Sequence, residues 1–400
     1  MIFFIMIGFV FFLLFLWIAI DFTLGRKRHV KKHENLHFSE RYSDFQLFNR
    51  GTDLFEDLFK EIRAAKDHIH VLFYIVQNDA FSEHFFQLLE EKAEEGIEVR
   101  LLLDWAGAFG LKKKTIRRLR RHNIEVSFCH VPHFPFFFYT MQERNHRKIT
   151  VIDGKIGFFG GYNIGKEYIG GDPKLSPWRD YHLKLQGEGV HDLQLQFLTD
   201  WKEATKKSVK DDARFYPEIP KGQSHHRFSA TEGVDLEPIF IDFINQAQKS
   251  LYIGSPYFIP SPDLFRALLA AIDRGVKLTI IVPKNSDHML VQEASYRFFR
   301  ILLKKGAVVY QFENGFFHAK ILIRDDKVCD IGTANFDKRS LFLNHELNCY
   351  ITDPSFVQEA KNYLLQDISQ SSRLSLDTLN ERNFFRSIKE ILAKWLSHFL

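Results

Sequence analysis

The sequence predicts an α/β fold made of two similar halves behind a single membrane-spanning helix. Three observations carry this expectation. A helix–strand–helix–Gly–strand series occurs twice along the 400 residues. Each copy leads into the same phrase, His-x-Lys-x4-Asp, once from His146 to Asp153 and once from His318 to Asp325. Finally, residues 1–20 hold no charged side chain.

Met1 to Ile20 is mostly Ile, Phe, Leu, Met and Val. At about 1.5 Å per residue such a run spans roughly 30 Å, the hydrocarbon thickness of a bilayer. A cleaved signal peptide would have a basic start, a shorter apolar core and a small-x-small cleavage site. Here the positive charge follows the span instead, at Arg26, Lys27, Arg28, Lys31 and Lys32. The expectation is therefore an uncleaved single-pass anchor in the cell membrane (residues 1–22) and a basic juxtamembrane linker (23–40). By the positive-inside rule the catalytic part is cytoplasmic.

The first half is expected over 41–205. Leu54, Leu58 and Ile62 recur at helical spacing, and Ile69 to Val76 reads as a strand. A helix through Phe85–Leu89 stops at Gly96, and Ile97 to Leu103 is a buried-type strand. The second half is expected over 234–365. Ile239, Phe243 and Ile244 share one helix, and Leu251 to Gly254 starts a strand. Ser261-Pro262 is an N-cap followed by Pro at the first helical position. That helix runs to Gly275, and Val276 to Val282 is the next strand. Alternating helices and strands argue a mixed or parallel sheet in each half. The polar stretch 206–233, with Pro217, Pro220 and Gly222, reads as the linker between them. The tail, 366–400, ends in Phe385, Ile388, Leu392, Trp395 and Phe399, one face of an amphipathic helix. Such a face either packs on the body or lies in the membrane interface.

Composition narrows the class. Hydrophobic residues make up 45% of the chain, with 42 Phe, so a large core is available. A net charge of +4 is too mild to force a nucleic-acid partner. Cys129, Cys329 and Cys349 form no CxxC pair, which fits a reduced compartment and no disulfide framework. No phosphate-binding loop of the G-x-x-x-x-G-K-[ST] kind occurs.

The doubled phrase carries the chemistry. In an extended strand, residues two apart face the same side. His146, Lys148, Thr150 and Ile152 then share a face, and His318 projects with Lys320. The Asp falls at an odd offset, in the turn-like pairs Asp153-Gly154 and Asp325-Asp326, so it is expected to anchor the motif rather than face substrate. Each phrase is followed by a Gly-rich stretch ending in Asn163 or Asn335. The candidate catalytic set is His146, Lys148, Asp153, His318, Lys320 and Asp325, with Lys148, Asn163, Lys320 and Asn335 binding phosphate. Two ammonium groups and two amides can neutralise a phosphodiester as charge builds on its oxygens, without a metal or other cofactor. One neutral imidazole can attack phosphorus; the other, protonated, can donate to the leaving oxygen. Asp180 and Glu346, lying 34 and 28 residues after the His of their own half, are candidate positioning carboxylates.

With the two phrases, the blocks Arg144-Asn145-His146-Arg147-Lys148, Gly160-Gly161-Tyr162-Asn163-Ile164, Trp178-Arg179-Asp180, Ser255-Pro256-Tyr257-Phe258-Ile259-Pro260 and Gly315-Phe316-Phe317-His318-Ala319-Lys320 make the chain resemble the phospholipase D superfamily, and within it the bacterial cardiolipin synthases. The match covers roughly residues 40 to 365. The resemblance implies two halves packed about a pseudo-twofold axis around one shared active site. It implies condensation of two phosphatidylglycerol molecules to cardiolipin and glycerol, with anionic membrane lipids as partners. It also makes His146 the nucleophile and His318 the acid/base; the residues alone leave that order open. Many members have two N-terminal spans where this chain has one. A phospholipase D-type hydrolase, another phosphatidyltransferase such as a phosphatidylserine synthase-like enzyme, a nuclease of the same fold and a non-catalytic lipid-binding module are the rival readings. The membrane span and modest charge count against the nuclease. Two intact phrases count against the binding module.

Three weaker features remain. Lys112 to Arg121 holds seven basic residues in ten and reads as a solvated helix face, a patch for anionic lipid, or, third, a nucleic-acid contact. Phe134, Phe136, Phe137, Phe138 and Tyr139, broken up by Pro132 and Pro135, read as a surface loop suited to lipid. Cys129, His130 and His133 have a tolerable metal spacing but no identifiable fourth ligand, so no metal is expected.

Overall fold

The computed structural model describes residues 2–33, 36, 38–288, 290–381 and 384–396. One helix, Ile2–Lys32, begins the chain. It is long and apolar enough to cross a membrane, with a mean hydropathy of 2.9 in its most apolar window. The basic residues Arg26 to Lys32, expected in a linker, form its last turns. This helix meets the body directly beyond its apolar stretch. The buried Asp21 carboxylate accepts from the Tyr139 backbone N–H at 2.8 Å.

The strands fall into two matching series. The first is β1 (Arg41–Phe48), β2 (His68–Phe73), β3 (Glu98–Asp104), β4 (Glu125–Cys129), β5 (Arg144–Asn145), β6 (Ile149–Ile152), β7 (Ile156–Gly160), β8 (Trp178–Arg179) and β9 (His182–Gly187). The second is β10 (Ser224–Glu232), β11 (Ser250–Gly254), β12 (Phe258–Ile259), β13 (Lys277–Pro283), β14 (Val308–Phe312), β15 (Phe316–Phe317), β16 (Ile321–Arg324), β17 (Val328–Gly332), β18 (Phe336–Asp337), β19 (Asn344–Ile351) and β20 (Ser371–Arg373).

One continuous mixed sheet joins the halves, in the order β20-β14-β13-β11-β16-β17-β19-β10-β1-β9-β7-β6-β2-β3-β4. Apart from the edge strand β20, the order reads the same from both ends. The mirror point lies between β1 and β10, which pair antiparallel through Arg41↔His226, Tyr42↔His225 and Ser43↔Ser224. The halves thus share a sheet, where separate sheets were expected. The polar stretch 206–233 has no strand or α-helix as far as residue 223, as a linker would, but its end departs from that reading, because β10 is a central strand hydrogen-bonded to β1 and β19. Backbone donors and acceptors there find ladder partners, and Phe228 supplies the buried side chain that anchors the strand.

Each half packs its own core. Leu54, Leu58, Ile62, Val71, Phe85 and Leu101 build the first, and Phe240, Ile244, Leu251, Leu268, Ile280 and Phe299 the second. A third core belongs to both. It packs the helices Gly189–Thr205 and Pro354–Ser369, through Leu193, Phe197, Val357 and Leu364, against Ile149, Val151, Ile321, Ile323 and Leu347. Ile149 and Val151 face this shared core while Ile152 faces the first half's own core, the alternation expected of a strand. Ser261 caps its helix, accepting from the Leu264 N–H at 3.1 Å. Val76 lies beyond the end of β2 and makes only an isolated bridge to Ile164.

The tail packs on the body, one of the two readings left open for it. β20 adds an edge to the sheet, and the helix Phe384–Leu396 lies on the helix Val291–Lys304, with Arg300 paired to Glu390 at 2.7 Å and Ala393 buried. Ile388, Ile391 and Leu392 remain exposed. Phe399 and the side chains of Phe385 and Trp395 lie outside the described residues. Of the aromatic run, expected as a loop, Phe134 and Phe136 lie in irregular chain, while the rest begins the short helix Phe137–Gln142, which packs Tyr139 against Phe22 of the N-terminal helix.

Candidate active site

The two hairpins that carry the motif are built alike. β6–β7 and β16–β17 turn through Asp153-Gly154 and Asp325-Asp326, all four with positive φ, the geometry of a tight primed turn. The Asp153 carboxylate accepts from the backbone N–H groups of Lys66, Asp67 and His68 at 2.8–3.2 Å. Asp325 accepts from Gln248, Lys249 and Ser250 at 2.7–2.9 Å. Burial opposes the Asp325 charge, but those three N–H groups outweigh it and hold its pKa low. Both carboxylates therefore pin the turn to the start of β2 or β11, and neither lines the cavity that holds the histidines. They hold the motif hairpin at its far end from the histidines.

His146 to Lys148 and His318 to Lys320 lie just ahead of β6 and β16, not within a strand as expected. Their backbones are clamped by the opposite half. β5 pairs parallel with β19, and β15 with β8. The His146 N–H donates to the His345 carbonyl at 2.9 Å, and the His318 N–H donates to the Arg179 carbonyl at 2.7 Å. Each acceptor is the residue just before a carboxylate, Glu346 or Asp180. The carboxylates consequently cross over. Glu346 Oε2 lies 2.9 Å from His146 Nδ1, and Asp180 Oδ2 lies 2.6 Å from His318 Nδ1. Counting from the histidine of the same half assigns each carboxylate to the wrong imidazole.

His146, His318, Asn163 and Asn335 line one cavity of about 680 Å³. Burial lowers both imidazoles to a pKa of about 4, against the opposing pull of their carboxylates, so both rings are neutral near pH 7. With Nδ1–H given to a carboxylate, each ring keeps a lone pair on Nε2. Asp180 and Glu346 are held charged. Burial would raise them, but Lys320 and His318 lower Asp180, and His146 and Lys148 lower Glu346.

The lysines are fully buried. Lys148 Nζ donates to the His146 carbonyl at 2.6 Å and sits 5.4 Å from the centre of the Tyr74 ring. Burial and then Lys320 bring it down to about 7. Lys320 is also lowered by burial, but Asp180 Oδ2 lies 3.6 Å away and offsets part of that. Asp180 and Glu346 balance the two buried ammonium groups, and the neutral rings leave those ammonium groups as the positive charges that an anionic phosphodiester would meet. Asn163 is held by the Ile75 N–H, which donates to its Oδ1 at 3.1 Å, while the buried Asn335 Oδ1 has no partner among the described residues.

Several lining residues had no role in the sequence reading. Tyr74 and Tyr257 meet His146 and His318 edge-on at 5.0 and 6.3 Å, Trp178 lies 4.8 Å from His318, and Tyr257 donates to Asp287 at 2.7 Å. Arg144 pairs with the buried Asp104 at 3.0 Å. Tyr74 directly follows β2, and Tyr257 follows β11 by three residues. Ligands in open α/β sheets gather outside the carboxyl ends of strands, which is the signal that could have marked both.

Comparison with known proteins agrees with this geometry. A family model described as "Cardiolipin synthase, PLD-like domain" matches residues 58–172 and 240–368. The chain is 43% identical over 386 residues to the minor cardiolipin synthase ClsB of Bacillus subtilis (strain 168), covering 96% of each chain. It is 36% identical over 394 residues to cardiolipin synthase 2 of Staphylococcus epidermidis (strain ATCC 35984), covering 95% of this chain and 81% of that one. Among solved structures, phosphatidylserine synthase from Haemophilus influenzae Rd KW20 has the same fold, with a TM-score of 0.70 at 17% identity over 94% of this chain and 100% of that one. Polyphosphate kinase from Porphyromonas gingivalis shares it at a TM-score of 0.55 and 15% identity, over 90% of this chain and 53% of that one. With the family model matched in both halves and a relative this similar along nearly its whole length, the chain belongs to the cardiolipin synthase family of phospholipase D-like proteins.

Proposed function

We propose that the chain is a membrane-anchored phosphatidyltransferase that condenses two phosphatidylglycerol molecules to cardiolipin and glycerol through a phosphohistidine. The single observation that carries this reading is the shared cavity: two neutral imidazoles, each on a carboxylate of the other half, open onto one space with both asparagines. His146 Nε2 attacks phosphorus, and the first glycerol leaves with a proton from His318. Phosphate binding favours that proton by adding negative charge beside a ring that is neutral when the site is empty. His318 then takes the proton of the second lipid's glycerol hydroxyl, which attacks the phosphohistidine and regenerates His146. Lys148, Lys320, Asn163 and Asn335 bind the non-bridging oxygens.

The catalytic body belongs on the cytoplasmic side, with the basic turns Arg26 to Lys32 at the headgroups. Exposed Val131 and Phe134, close in the chain to the contact between Tyr139 and the anchor, give that side a face suited to lipid. Incubating the purified full chain with phosphatidylglycerol liposomes tests the proposal. Cardiolipin with stoichiometric glycerol is the expected result. Phosphatidic acid alone would replace the reading by hydrolysis, in which water takes the place of the second lipid. Protease access to the body in intact cells would overturn the topology.

A further inference from the structure

Strand β19 points Glu346 at the active site, and the next residue back, His345, therefore faces the other way. His345 is 1% exposed, and neither ring nitrogen has a hydrogen-bond partner. Burying an imidazole with both nitrogens idle is costly. One of its ring nitrogens, one of His29 and a carboxylate oxygen of Glu143 lie within 4.8 Å of one another. His29 Nε2 faces the Glu232 carbonyl at 2.7 Å, and a carbonyl only accepts, so Nε2 carries the hydrogen. That leaves the lone pair of a neutral ring on Nδ1, 2.5 Å from Glu143 Oε1. At that spacing a proton bridges the two atoms as an imidazolium–carboxylate pair, and a metal cation can take the proton's place once the ring is neutral. An imidazole that gives one N–H to a carbonyl and turns its other nitrogen to a shared centre is arranged as metal-binding histidines are.

We propose that His29, Glu143 and His345 bind a divalent transition-metal cation of the zinc class, with water in the remaining position. Tetrahedral zinc bonds of about 2.0–2.1 Å set ligand atoms roughly 3.4 Å apart, within reach of side-chain rotation here. Asp200, Glu203 and Glu232 gather on the other flank of His345 and add negative potential, but Arg147 already takes up Asp200 at 2.5 Å and Glu232 at 4.0 Å. The set read from the sequence, Cys129, His130 and His133, is not this site. The Cys129 thiol donates to the Leu103 carbonyl at 3.4 Å, and burial pushes its pKa well up. The three ligands come from the anchor helix, the approach to the first motif, and the strand whose His345 carbonyl holds the His146 backbone. The ion is a staple between the anchor and the strand that positions His146, and phosphoryl transfer stays with the cavity residues.

The test uses the full chain in detergent, stripped with EDTA and titrated with Zn²⁺, and with Co²⁺ for its visible absorption. A single equivalent is expected to bind, with Co²⁺ bands typical of four- or five-coordinate nitrogen and oxygen ligands. In His345→Ala and in His29→Gln the affinity should fall about 10- to 100-fold, while His133→Gln binds as the unaltered chain does. His29 lies at the partly exposed end of its helix, so that variant decides the matter if His345→Ala does not fold. Absence of stoichiometric binding to the unaltered chain, or unchanged affinity in His29→Gln, overturns the site.

Discussion

The two halves place the same groups around one cavity but support them differently. Glu346 accepts from His146 and also from Thr333 Oγ1 at 2.6 Å, Ser340 Oγ at 2.7 Å and Asn344 Nδ2 at 3.3 Å. Asp180 accepts from His318 and the Tyr181 backbone N–H, and takes its remaining support from the Lys320 charge. The residue that decides this is two before each asparagine: Thr333 in one half, Gly161 in the other. A Cβ on Gly161 would lie 2.0 Å from Asp180 Oδ1, so the first half gives up a hydroxyl donor to let a shorter carboxylate in. Both lysines donate to the carbonyl of their own motif histidine, and they differ in that Lys320 has a carboxylate close by, whereas Lys148 has the Tyr74 ring. The repeat thus fixes where charge sits, while the neighbours set how firmly each charge is held.

The largest effect comes from ignoring this difference. His146→Ala and His318→Ala should each lower cardiolipin formation about 10³-fold or more, because neither ring can do the other's step. Residual activity within tenfold for either variant would break the shared-site reading. Asp180→Asn should then reduce kcat more than Glu346→Gln, by about 10² or more, since three neutral donors still hold residue 346 in place. Equal losses would mean that the extra donors do nothing. Gly161→Ala should approach the Asp180→Asn defect by displacing the carboxylate. Thr333→Ala should cost only about tenfold, the loss of one hydrogen bond to a charged group.

The subtlest test is pH. Lys148 has a pKa of about 7, so it loses its ammonium as pH rises through that value and the empty site binds phosphate less well. On the basic side kcat/KM should fall, and Lys148→Arg, whose charge persists, should move that limb upward. A limb left in place by Lys148→Arg would assign it to another group.

Part of the site was readable because it is local. The spacing of His146 to Asp153 and of His318 to Asp325 is a property of a hairpin, and the odd offset that sends the Asp away from substrate follows from strand alternation. The end of the stretch 206–233 was misread because its polar residues continue a loop that the prolines and glycine before it mark correctly. β10 becomes a strand only when β1 and β19 offer edges on both sides. The second part of the aromatic run was misread for the same reason, since its helix Phe137–Gln142 is packed against a distant N-terminal segment. Tyr74, Trp178 and Tyr257 lacked a role because nothing along the chain says which strand ends meet.

The sequence by itself determined a duplicated α/β chain behind an apolar helix, with two imidazoles, two ammonium groups and two amides in fixed internal spacing. These are short-range facts, set by periodicity and turn chemistry. Tertiary structure alone decided that the halves share one sheet, that each histidine is served by the other half's carboxylate, and that burial leaves both rings neutral. Those depend on strand pairings between residues as much as 200 apart, and on solvent exclusion, which exists only once both halves have closed on the same space.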